Sequence, residues 1–306
     1  MPQLVQIEVA VRVITSSTWM PPSRRGDTHW VTEAQARAMI EAGFCKLAPA
    51  PAKVPAPAAG EPMPPRLPMR ASDDAPIDRF AVIDPVWQGR TVVCIASGPS
   101  VTFDQLELVR AARERDEIRV AVVNDMYLVA PWADLHYFAD AKWWKWHTEG
   151  LAKKWPWASF NAEQVRKAFE SFAGQKVSIF NTGMAIADAK VFMLHNYGSD
   201  KLSEKPNGIH TGSNSGYQVM NVVTLAGAKR ILLVGYDMRF TNGRSHSHNG
   251  HPHKMPENSY RDFAKTFATM QPQLAKLGVE VLNCTPGSAI TCFPKGDLAS
   301  LLAPAA

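Results

Sequence analysis

What most constrains this chain is a pattern that recurs from residue 77 onward. A short, unbroken apolar run closes on glycine, a hydroxyl or a carboxylate, and a helical stretch follows. Such runs occupy 91–95, 119–123, 135–139, 176–180, 231–234 and 279–282. They are too short for helices and too continuous for strands with one wet face. Helices are predicted at 103–115, 216–226 and 260–277. Strands buried on both faces and separated by helices belong to a parallel sheet covered on both sides. The body, residues 77–306, is therefore expected to be α/β, a doubly wound Rossmann-like and mostly parallel sheet.

Upstream the pattern changes. Val5, Ile7, Val9, Val11 and Val13 alternate with other residues, which predicts a half-buried strand. Thr32-Glu-Ala-Gln reads as a capping box for a helix over 33–42, stopped by Gly43. Residues 1–47 are read as a small α+β head. Residues 48–76 are a Pro/Ala-rich linker that cannot pack a core and spaces head from body. So small a head has little core of its own, which points to a protein partner or self-association. Its strand, loop and short-helix layout resembles small modules of tailed-phage proteins.

Lys and Arg number 33 against 28 Asp and Glu, a net charge of +5. That suits small anionic ligands such as nucleotides and is too slight to argue for nucleic acid by itself. Four cysteines (Cys45, Cys94, Cys284 and Cys292) without CxxC spacing exclude a zinc ribbon and a disulfide scaffold. No apolar run approaches the ~20 residues that span a bilayer. The first residues lack the basic start and apolar core of a signal peptide, so cytoplasm is the expected compartment.

Ligands of such folds sit beyond the carboxyl ends of the strands, so the run ends are the candidate site. The first is Cys94-Ile-Ala-Ser-Gly-Pro-Ser100: Ser97, Gly98, Pro99 and Ser100 could cradle a phosphate at a helix N-terminus, or simply form a tight turn capped by Ser100. The second is Val123-Asn-Asp125. Asn124 offers a donor and an acceptor for a base or ribose, and Asp125 an acceptor for a sugar hydroxyl or a metal; both types also cap helices. The third ends on Asp140. After it come Trp143, Trp144, Trp146, Trp155 and Trp157, interleaved with Lys142, Lys145, Lys153 and Lys154. Stacking on nucleic acid is one reading; tryptophans packed inward beneath wet lysines is the favoured one. The fourth is Thr211-Gly-Ser-Asn-Ser-Gly216 before an apolar helix. Thr211, Gly212, Ser213, Asn214 and Ser215 are more than a single cap requires and suit a phosphate. The fifth, Leu233-Val-Gly-Tyr-Asp237, ends on a carboxylate suited to Mg²⁺, a ribose or an acceptor hydroxyl. The sixth, Ser245-His-Ser-His-Asn-Gly-His-Pro-His253, holds four of the nine histidines, candidates for a general base or an adventitious metal loop.

Taken in order, ASGPS, VND, FAD, TGSNSGYQ, GAKRILLVGYDM, the histidine loop and GVEVLNCTPGSAI resemble a known group across residues 91–293. It is the family containing the archaeal 6-hydroxymethylpterin pyrophosphokinase and its uncharacterised, often phage-encoded relatives. The same stretch is similar to bacterial CMP-sialic-acid-dependent sialyltransferases with a Rossmann-type core. The resemblance implies that Gly98, Pro99 and Ser100 line the nucleotide phosphate or ribose. It implies that Asn124 contacts the nucleotide, and that Ser213 and Ser215 hold ribose or phosphate under the 211–216 loop. On the sialyltransferase side His248, His251 or His253 matches the general base. On the pyrophosphokinase side Asp140 and Asp237 would hold Mg²⁺ on ATP. This chain departs from both in its short, histidine-crowded loop and in the Trp-Lys segment standing where an acceptor lid is expected.

The expected function is a nucleotide-dependent transferase, moving a glycosyl or pyrophosphoryl group from a CMP-sugar or ATP type donor, with Mg²⁺ in the second case. The alternative is a non-catalytic phage or host interaction protein built on a retired nucleotide-binding fold, tethered through the linker.

Overall fold

The computed structural model describes residues 4–9, 28–32, 45–47, 69–71, 80–180, 191–198, 201–251 and 256–304. The chain divides into two compact units, Met1–Pro64 and Pro65–Ala306. In the first, Leu4–Val9 is the central strand of an antiparallel sheet, flanked by Thr28–Thr32 and Cys45–Leu47. The predicted continuation of that strand past Val9 and the predicted helix over 33–42 lie outside the described residues. Within the stretch read as linker, Met69–Ala71 already belongs to the second unit, where it pairs antiparallel with Ala81–Ile83. The rest of 48–76 lies outside the described residues.

The second unit is built on eight strands: β1 (Thr91–Ile95), β2 (Ile118–Val123), β3 (Leu135–Phe138), β4 (Gln175–Ile179), β5 (Val191–Asn196), β6 (Gly208–Ile209), β7 (Arg230–Val234) and β8 (Glu280–Asn283). Every pairing is parallel and the order across the sheet is 6-5-4-3-2-1-7-8. The fold is α/β and Rossmann-like, as the run pattern requires. The chain steps outward from β1 to β6, then returns to place β7 on the other side of β1. That reversal is the topological switch point, where the loops diverge and leave a crevice.

Period-two alternation sends each strand's residues to opposite faces. Val92, Cys94, Ala121, Val123 and Tyr137 pack with α4 (Ser215–Leu225), an almost wholly buried helix. Val93, Ile95, Val120, Val122 and Phe138 pack with α1 (Phe103–Glu114) and α3 (Ala162–Glu170) on the other face. Both of those helices begin in a capping box, Thr102 with Gln105 and Asn161 with Gln164. The helix α2 (Ala141–Glu149) follows β3.

Two features depart from the sequence reading. Strands β5 and β6 extend the edge beyond β4. The helix predicted over 260–277 is broken into α5 (Glu257–Thr266), a 3₁₀ turn (Phe267–Thr269) and α6 (Gln271–Lys276). Pro272 causes the break: it has no N–H to give to a continuing helix and sits in the first turn of a new one. No helix among the described residues is long and apolar enough to cross a membrane.

Candidate functional site

At the carboxyl ends of β1 to β5 and β7 lies an open cavity of about 470 Å³. Its walls bring together most of the strand-end motifs. Ser97 and Gly98 come from the β1 turn, Asn124 and Asp125 from β2, and Asp140 from β3. Thr211, Ser213, Asn214 and Ser215 come from the turn before α4, and His246 and His251 from the histidine loop. Tyr260 of α5 closes one side.

The residues that do not reach the cavity are equally informative. Pro99, Ser100, Gly212, Asp237 and His248 are absent from its lining. The Ser100 hydroxyl donates to Asp237 Oδ2 at 2.7 Å and the Ser100 N–H donates to Oδ1 at 3.1 Å. Asp237 is 2% exposed; burial raises its pKa against these bonds from Ser100. Its carboxylate therefore ties the β1 turn to the β7 turn. Gly98 serves the same join. The Gly98 N–H donates to Gly235 O at 2.9 Å, and a Cβ on Gly98 would lie 2.0 Å from Asp237 Oδ2 and 2.3 Å from Gly235 O. The sequence reading assigned the bare glycine to a ligand's approach; its tightest neighbours are Asp237 and Gly235. Asp140 is exposed and caps α2, accepting from the Lys142 N–H at 2.8 Å. The two carboxylates expected to share Mg²⁺ thus have separate tasks, and no group of three or more metal-ligating side chains occurs among the described residues.

Asp125 is likewise occupied. Its Oδ1 accepts from Trp143 Nε1 at 3.2 Å and its Oδ2 from Lys153 Nζ at 3.0 Å. Burial pushes the Asp125 carboxyl up, but His248, Lys153 and the Trp143 N–H outweigh it and hold the group below the usual carboxylate range. His248 Nε2 lies 3.3 Å from the same carboxylate, poorly aligned for a hydrogen bond, while Nδ1 faces Asn249 O at 3.1 Å. Burial lowers the His248 pKa more than Asp125 raises it. Lys153 also donates to Gly250 O at 3.1 Å. It was read as a wet lysine beside the tryptophans; it is 4% exposed and pins the histidine loop. The other three, Lys142, Lys145 and Lys154, are exposed. Trp143 and Trp155 are buried, and Trp144 stacks on Phe138 at 5.3 Å, so these tryptophans pack inward.

The loop is stitched further by the Ser247 N–H on Ser97 O (2.8 Å), by mutual bonds between Lys154 and Asn249, and by Trp155 Nε1 on Ser247 Oγ (3.2 Å). These contacts hold His246 and His251 on the cavity wall, their rings stacked 4.5 Å apart at 12°. His253 lies outside the described residues. His246 was not singled out in the sequence, although its alternation with His248 was visible there. Two residues apart on a well-held segment, one ring faces the cavity and the other the interior.

Asn124 combines two unusual features. Its φ is +51°, in the left-handed region. Its carbonyl accepts from His136 Nε2 at 2.8 Å, a neutral ring because burial brings the His136 pKa down to about 3. Its side-chain Oδ1 is buried on the cavity wall without a hydrogen-bond partner. Opposite stands the start of α4. Asn214, rather than Ser215, is its N-cap: Oδ1 accepts from the Tyr217 N–H at 2.8 Å and Nδ2 donates to Gly212 O at 3.0 Å. The N–H groups of Ser215 and Gly216, in the first turn, carry the positive end of the helix dipole. An anion at that end and a donor group at Asn124 would complete the polar surface. No family model, curated protein or solved structure matches this chain.

Proposed function

We propose that the chain is a nucleotide-dependent transferase that moves a glycosyl group from a sugar-nucleotide donor to an acceptor hydroxyl. The observation that carries the reading is the unpartnered Asn124 Oδ1, held in a strained backbone on the wall of a cavity at the strand ends. Unmet buried polar atoms and left-handed non-glycine residues gather where a ligand makes up the difference. The N-terminus of α4 suits the donor phosphate. His251, which lines the same cavity, suits the acceptor's proton. In the reaction the acceptor oxygen bonds to the sugar's anomeric carbon and the bond from that carbon to the phosphate oxygen breaks. The acceptor's proton passes to the imidazole.

The positions of the carboxylates favour glycosyl over pyrophosphoryl transfer. Asp237, one of the pair expected to hold Mg²⁺ on ATP, has both oxygens on Ser100. The test is a thermal-shift panel on the full-length chain with CMP, CDP, UDP, GDP, ADP and ATP, each with and without Mg²⁺. A ligand at a hundredfold its Kd adds about 2.7 kcal/mol to native stability. A pyrimidine nucleotide that raises the midpoint without metal is the expected result. A shift with ATP confined to Mg²⁺ would move the reading to pyrophosphoryl transfer, and silence throughout would end it.

A further inference from the structure

Gln218 ends the Thr-Gly-Ser-Asn-Ser-Gly-Tyr-Gln stretch and lies on α4 among the residues that line the cavity. It is 6% exposed, and a polar side chain so buried ordinarily has its groups bonded. Asn221, one turn further along α4, shows the ordinary case. Its Oδ1 accepts from the Ser203 and His210 N–H groups at 2.9 and 3.3 Å, and its Nδ2 donates to Ser203 O at 3.1 Å. Gln218 is half satisfied. Its Oε1 accepts from the Tyr137 hydroxyl of β3 at 3.0 Å, and its Nε2 has no hydrogen-bond partner among the described residues. That bond fixes which way the amide faces. Tyr137 is fully buried, and burial raises its pKa well above the ordinary phenol range, so the hydroxyl keeps its proton. The proton needs an acceptor, which the amide oxygen supplies and the amide nitrogen could not. With Oε1 turned to Tyr137, the two donors of Nε2 are left for the cavity.

The surroundings say what those donors would meet. Gln218 stands three residues beyond Ser215, on the same side of α4, and helical side chains lean back towards the N-terminus. Its amide therefore adjoins the first-turn N–H groups suited to a phosphate. In the sheet, Val123 lies opposite Tyr137, so Asn124 follows at the end of the neighbouring strand. Asn124 Oδ1 lacks a donor and Gln218 Nε2 lacks an acceptor. Neighbouring hydroxyls on one ring meet both needs, since each can donate and accept. We infer that Gln218 is a ligand-binding residue whose Nε2 donates to a hydroxyl oxygen of the sugar ring adjoining the bound phosphate. The inference rests on the transferase reading for the phosphate and deepens it. A sugar nucleotide carries such a ring on each side of its phosphates, the ribose and the transferred sugar, and both present the same chemistry. A ligand without that hydroxyl leaves a buried donor unmet, so the site selects for it.

The experiment is calorimetric titration of the full-length chain with CMP, UDP, their 2′,3′-dideoxy forms, UDP-glucose and inorganic pyrophosphate. Two variants are compared with the parent. Tyr137→Phe combined with Gln218→Met removes both partners of the buried bond together, which leaves neither orphaned and preserves the fold. Gln218→Glu keeps the acceptor for the Tyr137 hydroxyl and replaces the donor. The quantity read is the ratio of ribonucleotide to dideoxynucleotide affinity within each protein, in which any general loosening or change of charge cancels. The ratio is expected to fall about fivefold in the variants, the effect of one neutral hydrogen bond, while the double variant keeps the parent's affinity for pyrophosphate. A constant ratio with a fallen ratio of UDP-glucose to UDP affinity supports the proposal with the transferred sugar as the ring. Both ratios unchanged in both variants overturn it, even if all affinities fall together, as they would for a contact to the base or a structural role. The transferase reading then stands, because the nucleotides still bind. A parent that binds no nucleotide ends the transferase reading and this inference with it.

Discussion

The floor beneath the cavity and the wall that faces it are built from residues one or two apart in sequence that behave in opposite ways. Asp125 and His248 belong to the floor, and Asn124 and His246 to the wall. On the floor, the carboxylates and the bare glycine meet partners, Asp125 with Lys153 and Trp143, Asp237 with Ser100, and Gly98 against Gly235, and His248 Nε2 is the one atom named there without a hydrogen bond. On the wall, a buried oxygen and a first helical turn are left waiting. Chemistry-bearing residue types mark both regions alike. Only the state of their hydrogen bonds separates a residue that holds the site from one that could use it.

The largest effect should come from the floor. Lys153→Met removes the ammonium hydrogen-bonded to Asp125 and leaves the buried carboxylate with the Trp143 N–H and the poorly aligned His248 ring, which is expected to destabilise the chain by about 3–5 kcal/mol. Chemical denaturation would register it as a lowered midpoint with an unchanged slope. A loss below about 1 kcal/mol would mean that the pair does not anchor the loop. Next is Gly98→Ala. The added methyl would meet a carboxylate oxygen and a backbone carbonyl, at 2.0 and 2.3 Å, and neither can move without opening the join between the β1 and β7 turns. Overpacking of this kind costs about 1–3 kcal/mol, and the upper end is expected because the neighbours are fixed. The same denaturation curve reports it.

A pH titration probes the floor without mutation. Burial lowers His136 to about 3 and His147 to about 4, against 6.5 for the free side chain. Between those values and 6.5 the unfolded chain binds more protons than the native one. Native stability is therefore whole above pH 6.5 and falls as pH drops towards 4, by about 1.4 kcal/mol per unit for each fully responding group. Asp125, held below the usual carboxylate range, loses its contribution only further down. Asp237, raised, acts in the opposite sense near the ordinary carboxylate pKa. His136→Phe should flatten the slope between pH 6.5 and 4. An equally steep variant would assign the acid sensitivity elsewhere.

Much of this layout could be read in the sequence. Runs such as Val92–Ile95 and Val120–Val123 are apolar on both faces, so they had to be central parallel strands with their ends clustered on one edge. What could not be read was the order of neighbours. Nothing local in Gly235-Tyr-Asp237 says that β7 lies beside β1, and this adjacency turns Asp237 from a candidate ligand into a clasp on Ser100. The burial of Lys153 was hidden for the same reason, since its carboxylate partner is 28 residues earlier in the chain. The end of α5 was legible and missed: Pro272 stands inside the stretch read as one helix. Val191–Asn196 was legible and missed as well: it opens with Val-Phe-Met-Leu, an apolar run as long as that at 231–234.

The smallest expected effect on stability is the one that sharpens the contrast most. Asn124 holds φ +51°, a conformation that costs most side chains roughly 1–2 kcal/mol and glycine almost nothing. Its buried Oδ1 carries a desolvation penalty with no bond to offset it. Asn124→Gly relieves both and keeps the carbonyl that accepts from His136. The added backbone freedom of glycine in the unfolded chain works against these gains. Stability should therefore change by no more than about 1 kcal/mol, in either direction, where a floor residue loses several. The nucleotide-induced rise in melting point should disappear in the same variant. If Asn124→Gly instead unfolds the chain as readily as Lys153→Met, Asn124 belongs to the floor. If the variant is stable and still responds to nucleotide, the unmet oxygen is not what the ligand reads. Only a stable variant that no longer responds places Asn124 on the working wall, because only a residue whose bonding partner comes from outside the chain can be removed without loss to the fold.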